Sequence, residues 1–327
     1  MRSTGRQIHL INPFIDPYGG SEQRALALRR LLSSDAQVTV WSEGTPHSSL
    51  SHFPIQPIRP FEALYPMDGT LVLVGAYFRS GSWIARSNAR RVILIYNTYA
   101  HEQLYDALRY YRESGIEVIE LVFASRALRR ASCIEGIVQT SPIDVVRFAR
   151  KHAIGARQDS SPFTVGRLSR DISAKHHPSD PAIYRALARA GCRVRIMGGT
   201  CLRSALGQAP EIELLPAGAE APEAFLRTLD CFLYRTSEDW HESFGRVVME
   251  AMASGLPVVA HRAGDYSEYV EHGRTGFLFQ SDQEAVNAVL LLKQNSVLRA
   301  TIGEAAGAAV ETLMERVAES ARAFYLS

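Results

Sequence analysis

Short runs of aliphatic and β-branched residues recur along this chain, and helical spacing follows most of them. "QIHLINPF" at 7–14 leads into "GGSEQRALALRRLLSS" at 19–34 and then "QVTVWSE" at 37–43. "TLVLVGAY", "RVILIYNT", "EVIELVFAS" and "EGIVQTS" carry the pattern to residue 141. A chain that alternates in this way builds parallel sheets, because each parallel strand must be reached through a crossover. The polar segment "GARQDSSP" at 155–162 breaks the pattern, and "FTVGRLS" at 163–169 restarts it. "RVRIMGG", "EIELLPA", "CFLYRTS", "PVVAHRA" and "TGFLFQ" then read as strands of a second series. The expected fold class is therefore α/β, with two tandem doubly wound domains over 1–157 and 162–307 facing a cleft. A length of 327 residues suits two domains of roughly 100–200 residues each.

Composition narrows the class further. Apolar residues make up 46% and charged residues 21%, the proportions of an ordinary globular protein. No apolar run reaches the roughly 18 residues of a membrane span, and the polar start of the chain lacks a signal-peptide core. A cytoplasmic location is expected, extending to the inner face of the membrane. The four cysteines, Cys133, Cys192, Cys201 and Cys231, form no Cys-x-x-Cys pair and read as reduced thiols. Residues 1–157 carry 19 basic and 13 acidic side chains, whereas 158–327 carry 17 and 21. That asymmetry admits either an anionic partner or membrane surface for the first half, or scattered solvated arginines. A nucleic-acid partner is not expected.

Three segments carry chemistry. In "ESFGRVVMEAMASGLPVVA", Glu242 and Glu250 are separated by seven residues. Helix is expected from near Gly245 to Ser254, so Glu242 lies in the loop before it and Glu250 about one and a half turns in. A helix start suits a phosphate, and a buried glutamate suits a sugar diol. The alternative is a solvent-facing Glu250 with Glu242 as a cap. In "SPFTVGRLSRDISAKHHP", Arg167 and Lys175 follow a strand and could clamp a diphosphate. Lys175 is one of only three lysines in the chain. In "INPFIDPYGGSEQ", Gly19 and Gly20 follow the first strand, where backbone amides could approach a phosphate or simply form a turn.

Together these segments resemble the retaining glycosyltransferases of the GT-B fold, family 4, also described as glycosyl transferases group 1. The Glu-x7-Glu stretch, "VGRLSRDISAK", the Gly-Gly loop and "GDYSEYVEHGRTGFLF" carry the resemblance, which is strong over about 162–285 and weaker over 1–157. It implies two Rossmann-like domains, an acceptor-binding one first and a donor-binding one second. It also implies that a C-terminal helix of about 308–327 packs back on the first domain. Arg167 and Lys175 would hold the donor diphosphate, and Glu250 the ribose hydroxyls. Glu242, Ser243, Phe244 and Gly245 would line the donor sugar and phosphate. Gly198 in "RIMGG" and the segment "LPAGA" at 215–219 would frame the base. His101, after the strand "RVILIYNT", is a candidate near the donor sugar, with Asn97 and Tyr99 as competitors. Two departures stand out: Arg167 and Lys175 are eight positions apart rather than the family's usual six, and Asp265 replaces a usual glycine before Tyr266.

The expected activity is transfer of a sugar, with retention, from a nucleoside diphosphate donor of the UDP or GDP type. The acceptor would be a carbohydrate or glycolipid of cell-surface polysaccharide or glycolipid biosynthesis. No separate cofactor is expected. No metal site is expected either, because there is no Asp-x-Asp pair and His176-His177 lack further ligands in register. Trp83 and Trp240 are candidates for stacking on sugars, with ordinary packing as the alternative. Two other readings stay open: a nucleotide-sugar epimerase of the same fold, and a non-catalytic sugar-nucleotide-binding protein.

Overall fold

The computed structural model describes residues 6–75, 83–89, 91–116, 118–149 and 162–327. The expected linker at 155–162 lies outside these residues apart from Pro162. The apolar runs of the first half become β1 (Gln7–Ile11), β2 (Gln37–Ser42), β3 (Ile55–Pro57), β4 (Thr70–Val74), β5 (Arg91–Tyr96), β6 (Ile119–Phe123) and β7 (Ile137–Val138). The helices between them are α1 (Gly20–Leu32), α2 (Trp83–Arg86), α3 (His101–Glu113) and α4 (Arg126–Ser132). The second half holds α5 (Val145–Phe148), β8 (Thr164–Leu168), α6 (Asp180–Arg189), β9 (Arg193–Met197), α7 (Arg203–Leu206), β10 (Ile212–Leu215), α8 (Pro222–Arg227) and β11 (Cys231–Tyr234). It continues with α9 (Arg246–Ala253), β12 (Val258–His261), β13 (Gly276–Phe279), α10 (Asp282–Gln294) and α11 (Ser296–Tyr325).

Every described strand pairing is parallel. The first sheet has seven strands in the order β3-β2-β1-β4-β5-β6-β7, and the second has six in the order β10-β9-β8-β11-β12-β13. Both are doubly wound, with the strand order reversing between β1 and β4 in one and between β8 and β11 in the other. Ligands of such sheets bind beyond the carboxyl ends of the strands at this reversal. The central strands are buried on both faces, as a sheet covered by helices requires. Val194, Ile196, Leu233 and Val259 meet Leu187 of α6 and Leu292 of α10 in the second core. Each such side chain stabilises the fold by about 1.5–3 kcal/mol.

The chain divides into two compact units, Met1–Pro142 with Arg316–Ser327, and Ile143–Glu315. The first boundary therefore falls at 142 rather than at 157. The reason is α5, whose Arg147 pairs with Glu223 at 2.8 Å and whose Arg147 carbonyl accepts from Arg227 at 3.3 Å. The end of α11 joins the first unit through its own contacts: Ala321 and Tyr325 enter that core, and Arg91 donates to the Phe324 carbonyl at 2.8 Å. β3, α2, α5 and α7 are not anticipated from the sequence. No described helix is long and apolar enough to cross a membrane.

A charged network is buried beneath the second sheet's reversal point. The Asp180 carboxylate accepts from Arg235 Nε at 2.6 Å and from the His177 amide at 3.1 Å, and it pairs with Arg167 at 3.4 Å. Both arginines and the aspartate are at most 5% exposed. Arg235 also reaches Ser179 and Asp282. Removing one partner of a buried ionic network leaves charge uncompensated in a low dielectric. Asp180→Ala is thus expected to destabilise the protein by about 3–5 kcal/mol, measured as the loss in urea-unfolding free energy.

Candidate functional site

Two loops leave the second sheet at its reversal point, one after β8 and one after β11. The first leaves β8 at Ser169 and packs against Gly198, the residue that follows β9, where glycine is required on two counts. Its φ is +80°, and a Cβ there would collide with the Ser169 carbonyl oxygen. The loop then reaches Lys175. Arg167 lies beneath it, with Nη2 donating to the Lys175 carbonyl at 2.6 Å and Nη1 to the Arg235 carbonyl at 2.7 Å. Its guanidinium stacks over the Tyr234 ring at 4.6 Å. Arg167 is 1% exposed, so it braces the two loops from below and does not face solvent as a clamp would.

Lys175 points to the second loop. Its Nζ donates to Glu242 Oε2 at 2.5 Å, and the Tyr234 hydroxyl donates to the same oxygen at 3.0 Å. Burial would raise the Glu242 pKa, but the Lys175 ammonium and these two hydrogen bonds outweigh it and hold the carboxyl below its ordinary value. Burial is also the largest influence on Lys175, and it lowers the ammonium pKa against the pull of Glu242. The Lys175 Nζ lies 4.4 Å from the centroid of the Trp240 ring, and the Arg170 guanidinium lies 4.9 Å from the same centroid. Cations held in this way gain about 0.5–2 kcal/mol each.

Beyond Glu242 the chain passes buried Ser243 and Phe244 and enters α9 through Gly245. Gly245 has φ +69°, and a Cβ there would sit 2.6 Å from the Tyr266 ring. Glu250 is buried and accepts from Arg246 Nε at 2.8 Å, one turn back on the same helix. Burial raises its pKa despite Arg246. The two glutamates thus have separate partners, Lys175 for one and Arg246 for the other. Asp265, where a glycine is usual, accepts from or pairs with His241 at 3.0 Å and its amide bonds the Glu242 carbonyl at 3.1 Å. It pins the loop that carries Glu242.

The remaining candidates lie in the first unit. Gly19 caps α1, and a Cβ there would meet the Glu22 carboxylate. Glu22 is buried and bonded by Ser21 at 2.8 Å, with its pKa raised by burial. An acid therefore fills the space beside Gly19 that the Gly-Gly motif suggested for a phosphate. A Cβ on Gly20 would meet open space. His101 opens α3, with Nδ1 3.1 Å from the Tyr96 hydroxyl, which in turn accepts from the Ala100 amide at 2.7 Å. Burial pushes Tyr96 up to about 12. Trp83 is a core residue, 1% exposed, with its indole N–H on Glu43.

Tyr234, Asp180, Arg235 and Arg170 were not singled out from the sequence. The signal for the first and third was available: "YRTS" ends a strand with two polar-tipped residues beside the reversal point. Asp180 reads only as a helix-start acid. Arg170 lay inside the quoted motif, hidden by Arg167.

Residues 193–308 match the family model of glycosyl transferases group 1. The D-inositol 3-phosphate glycosyltransferase of Pseudarthrobacter chlorophenolicus is 36% identical over 96 residues, 29% of this chain and 22% of that protein. The GDP-mannose-dependent alpha-mannosyltransferase of Mycobacterium tuberculosis is 34% identical over 145 residues, 42% of this chain and 36% of its own. The chain thus spans well under half the length of these curated relatives. Among solved structures, Anabaena HepE in complex with UDP and glucose superimposes with a TM-score of 0.72 at 20% identity, covering 96% of this chain and 98% of HepE. The fold is that of the GT-B glycosyltransferases.

His176, next to Lys175, donates from Nε2 to the Gly198 carbonyl at 2.8 Å, while its Nδ1 is buried with no hydrogen-bond partner. A second proton would have no acceptor. Burial, aided by the Arg167 charge, accordingly pushes its pKa down to about 3 from 6.5. The unfolded chain binds that proton near pH 6.5 and the fold refuses it. The stability is fully present above about pH 6.5 and is lost as pH falls toward about 3, by up to about 1.4 kcal/mol per pH unit. His176→Gln, which can still donate to Gly198, is expected to flatten unfolding free energy against pH between 6.5 and 4.

Proposed function

We propose that the protein is a glycosyltransferase that moves a sugar from a nucleoside diphosphate donor to a hydroxyl of a carbohydrate or glycolipid acceptor, with retention of configuration. The observation that carries this reading is the Lys175–Glu242 pair at the reversal point of a sheet whose strands β9 to β13 fall within the family match. The HepE complex with UDP and glucose and the GDP-mannose-dependent relative support a UDP- or GDP-type donor. The excess of basic residues in 1–157 favours an anionic or membrane-associated acceptor.

In this reading the anomeric C–O bond to the diphosphate breaks, and the acceptor oxygen bonds the same carbon from the same face. The acceptor proton passes to the departing phosphate. Negative charge grows on that phosphate, and Lys175 and the positive end of α9 lie ready to meet it. Glu250, one oxygen fixed by Arg246, takes the ribose hydroxyls. Glu242 sets the position of Lys175 and borders the donor sugar.

Calorimetric titration with UDP, GDP and ADP, followed by turnover of the matching sugar nucleotides, tests the reading. It fails if no nucleotide binds, and conversion of the donor to its epimer without an acceptor would replace transfer by epimerisation. Lys175→Met, which keeps the buried stem, is expected to lower the initial rate of donor turnover at least ~100-fold. Its melting curve should remain cooperative.

A further inference from the structure

Resting on the nucleotide-sugar reading above, we propose that Arg170, carried on the face of Trp240, is the second cation of the diphosphate site, the place that motif spacing gives to Arg167. Arg167 is turned away from it: its terminal nitrogens donate to the Lys175 and Arg235 carbonyls, its Nε is buried without a partner among the described residues, and 1% of the residue is exposed. Arg170 is half-buried, and among the described residues its guanidinium makes no ion pair or hydrogen bond. Its contact is the Trp240 ring, which it shares with Lys175 at 4.9 and 4.4 Å from the centroid. One indole thus presents two cations together. Arg170 is close enough to act on both members of the ion pair, favouring the ionised form of Glu242 and disfavouring the protonated form of Lys175.

The supports on either side are fixed. The Asp171 carboxylate, next in the chain, accepts from Thr200 Oγ1 at 2.5 Å and the Cys201 amide at 2.9 Å. Trp240 is held in a turn, with its amide on the Ser237 carbonyl at 3.1 Å and its carbonyl on Thr236 Oγ1 at 2.8 Å. Lys175 is already neutralised by Glu242, so Arg170 supplies the unbalanced positive charge of the cluster. A planar fork on an aromatic face suits a bidentate grip on phosphate oxygens. Trp240 acts as the positioning residue.

Titration of inorganic pyrophosphate, UDP, GDP and the nucleosides uridine and guanosine into wild type, Arg170→Ala, Arg170→Lys, Trp240→Ala and Trp240→Phe tests the assignment. Arg170→Ala is expected to weaken pyrophosphate and the diphosphate nucleotides by about tenfold or more, since a charge-assisted contact is lost. Nucleoside binding should not change. Trp240→Phe should recover most of the affinity that Trp240→Ala loses, whereas Arg170→Lys, which keeps the charge without the planar fork, should recover only part of what Arg170→Ala loses. Arg170→Ala binding diphosphates as wild type does overturns the assignment and leaves the proposed function standing. Arg170-dependent binding of pyrophosphate without binding of either nucleotide supports the site and removes the nucleotide-sugar reading. Wild type binding none of the probes overturns both.

Discussion

One carboxylate shared by two arginines governs the second unit. Asp180 sits at the start of α6, Arg167 on β8 and Arg235 just past β11. Their contacts tie a helix start to the two central strands at the point where strand order reverses. The same arginines also bond the surrounding loops: Arg167 donates to the Lys175 and Arg235 backbone carbonyls, and Arg235 to the Ser179 hydroxyl. The loops above are therefore fixed by charge-assisted bonds from below. Burying three charges is costly, and the cost is met only because nearly every donor and acceptor has a partner. The gain is geometric: Lys175 is delivered to Glu242 from a different loop.

The elements were legible in the sequence because both faces of these sheets are covered. A strand buried on both sides must be apolar throughout, and such runs stand out between helices. β3 and α2 were missed because three or four residues give no period, and β3 ends at Pro57 on the sheet edge. The division of the compact units at 142 follows no local pattern either. The polar stretch at 155–162 is a compositional break, whereas membership of α5 is set by Arg147 meeting Glu223, a pairing across 76 positions of chain that no local pattern reveals.

The site was legible to the level of which loops matter, and less so to the level of which atoms face it. Lys175 and Glu242 are each singled out by motif, one for the diphosphate and one for the donor sugar and phosphate; that they bond each other is visible only in the fold. Arg167 belongs to the first of these motifs and is turned inward, onto Asp180 and the Lys175 and Arg235 carbonyls. Gly-Arg followed by lysine describes spacing along a loop. It says nothing of whether the arginine lies above or below the sheet's end.

An anion arriving above β8 and β11 meets two positive groups of unequal kind. The Lys175 ammonium is buried and already in contact with a carboxylate whose own pKa that contact has lowered. Phosphate oxygens must compete with Glu242 for it, so its net attraction is the difference of two favourable interactions. Arg170 faces no such competitor among the described residues. Coulomb attraction between unit charges scales with the inverse of the local dielectric, and the partly covered indole face is drier than bulk water. In the proposed site the guanidinium therefore dominates the initial pull on the anion. In the proposed transfer Lys175 becomes most useful once charge has accumulated on the leaving group, when the phosphate outcompetes Glu242 for its N–H groups.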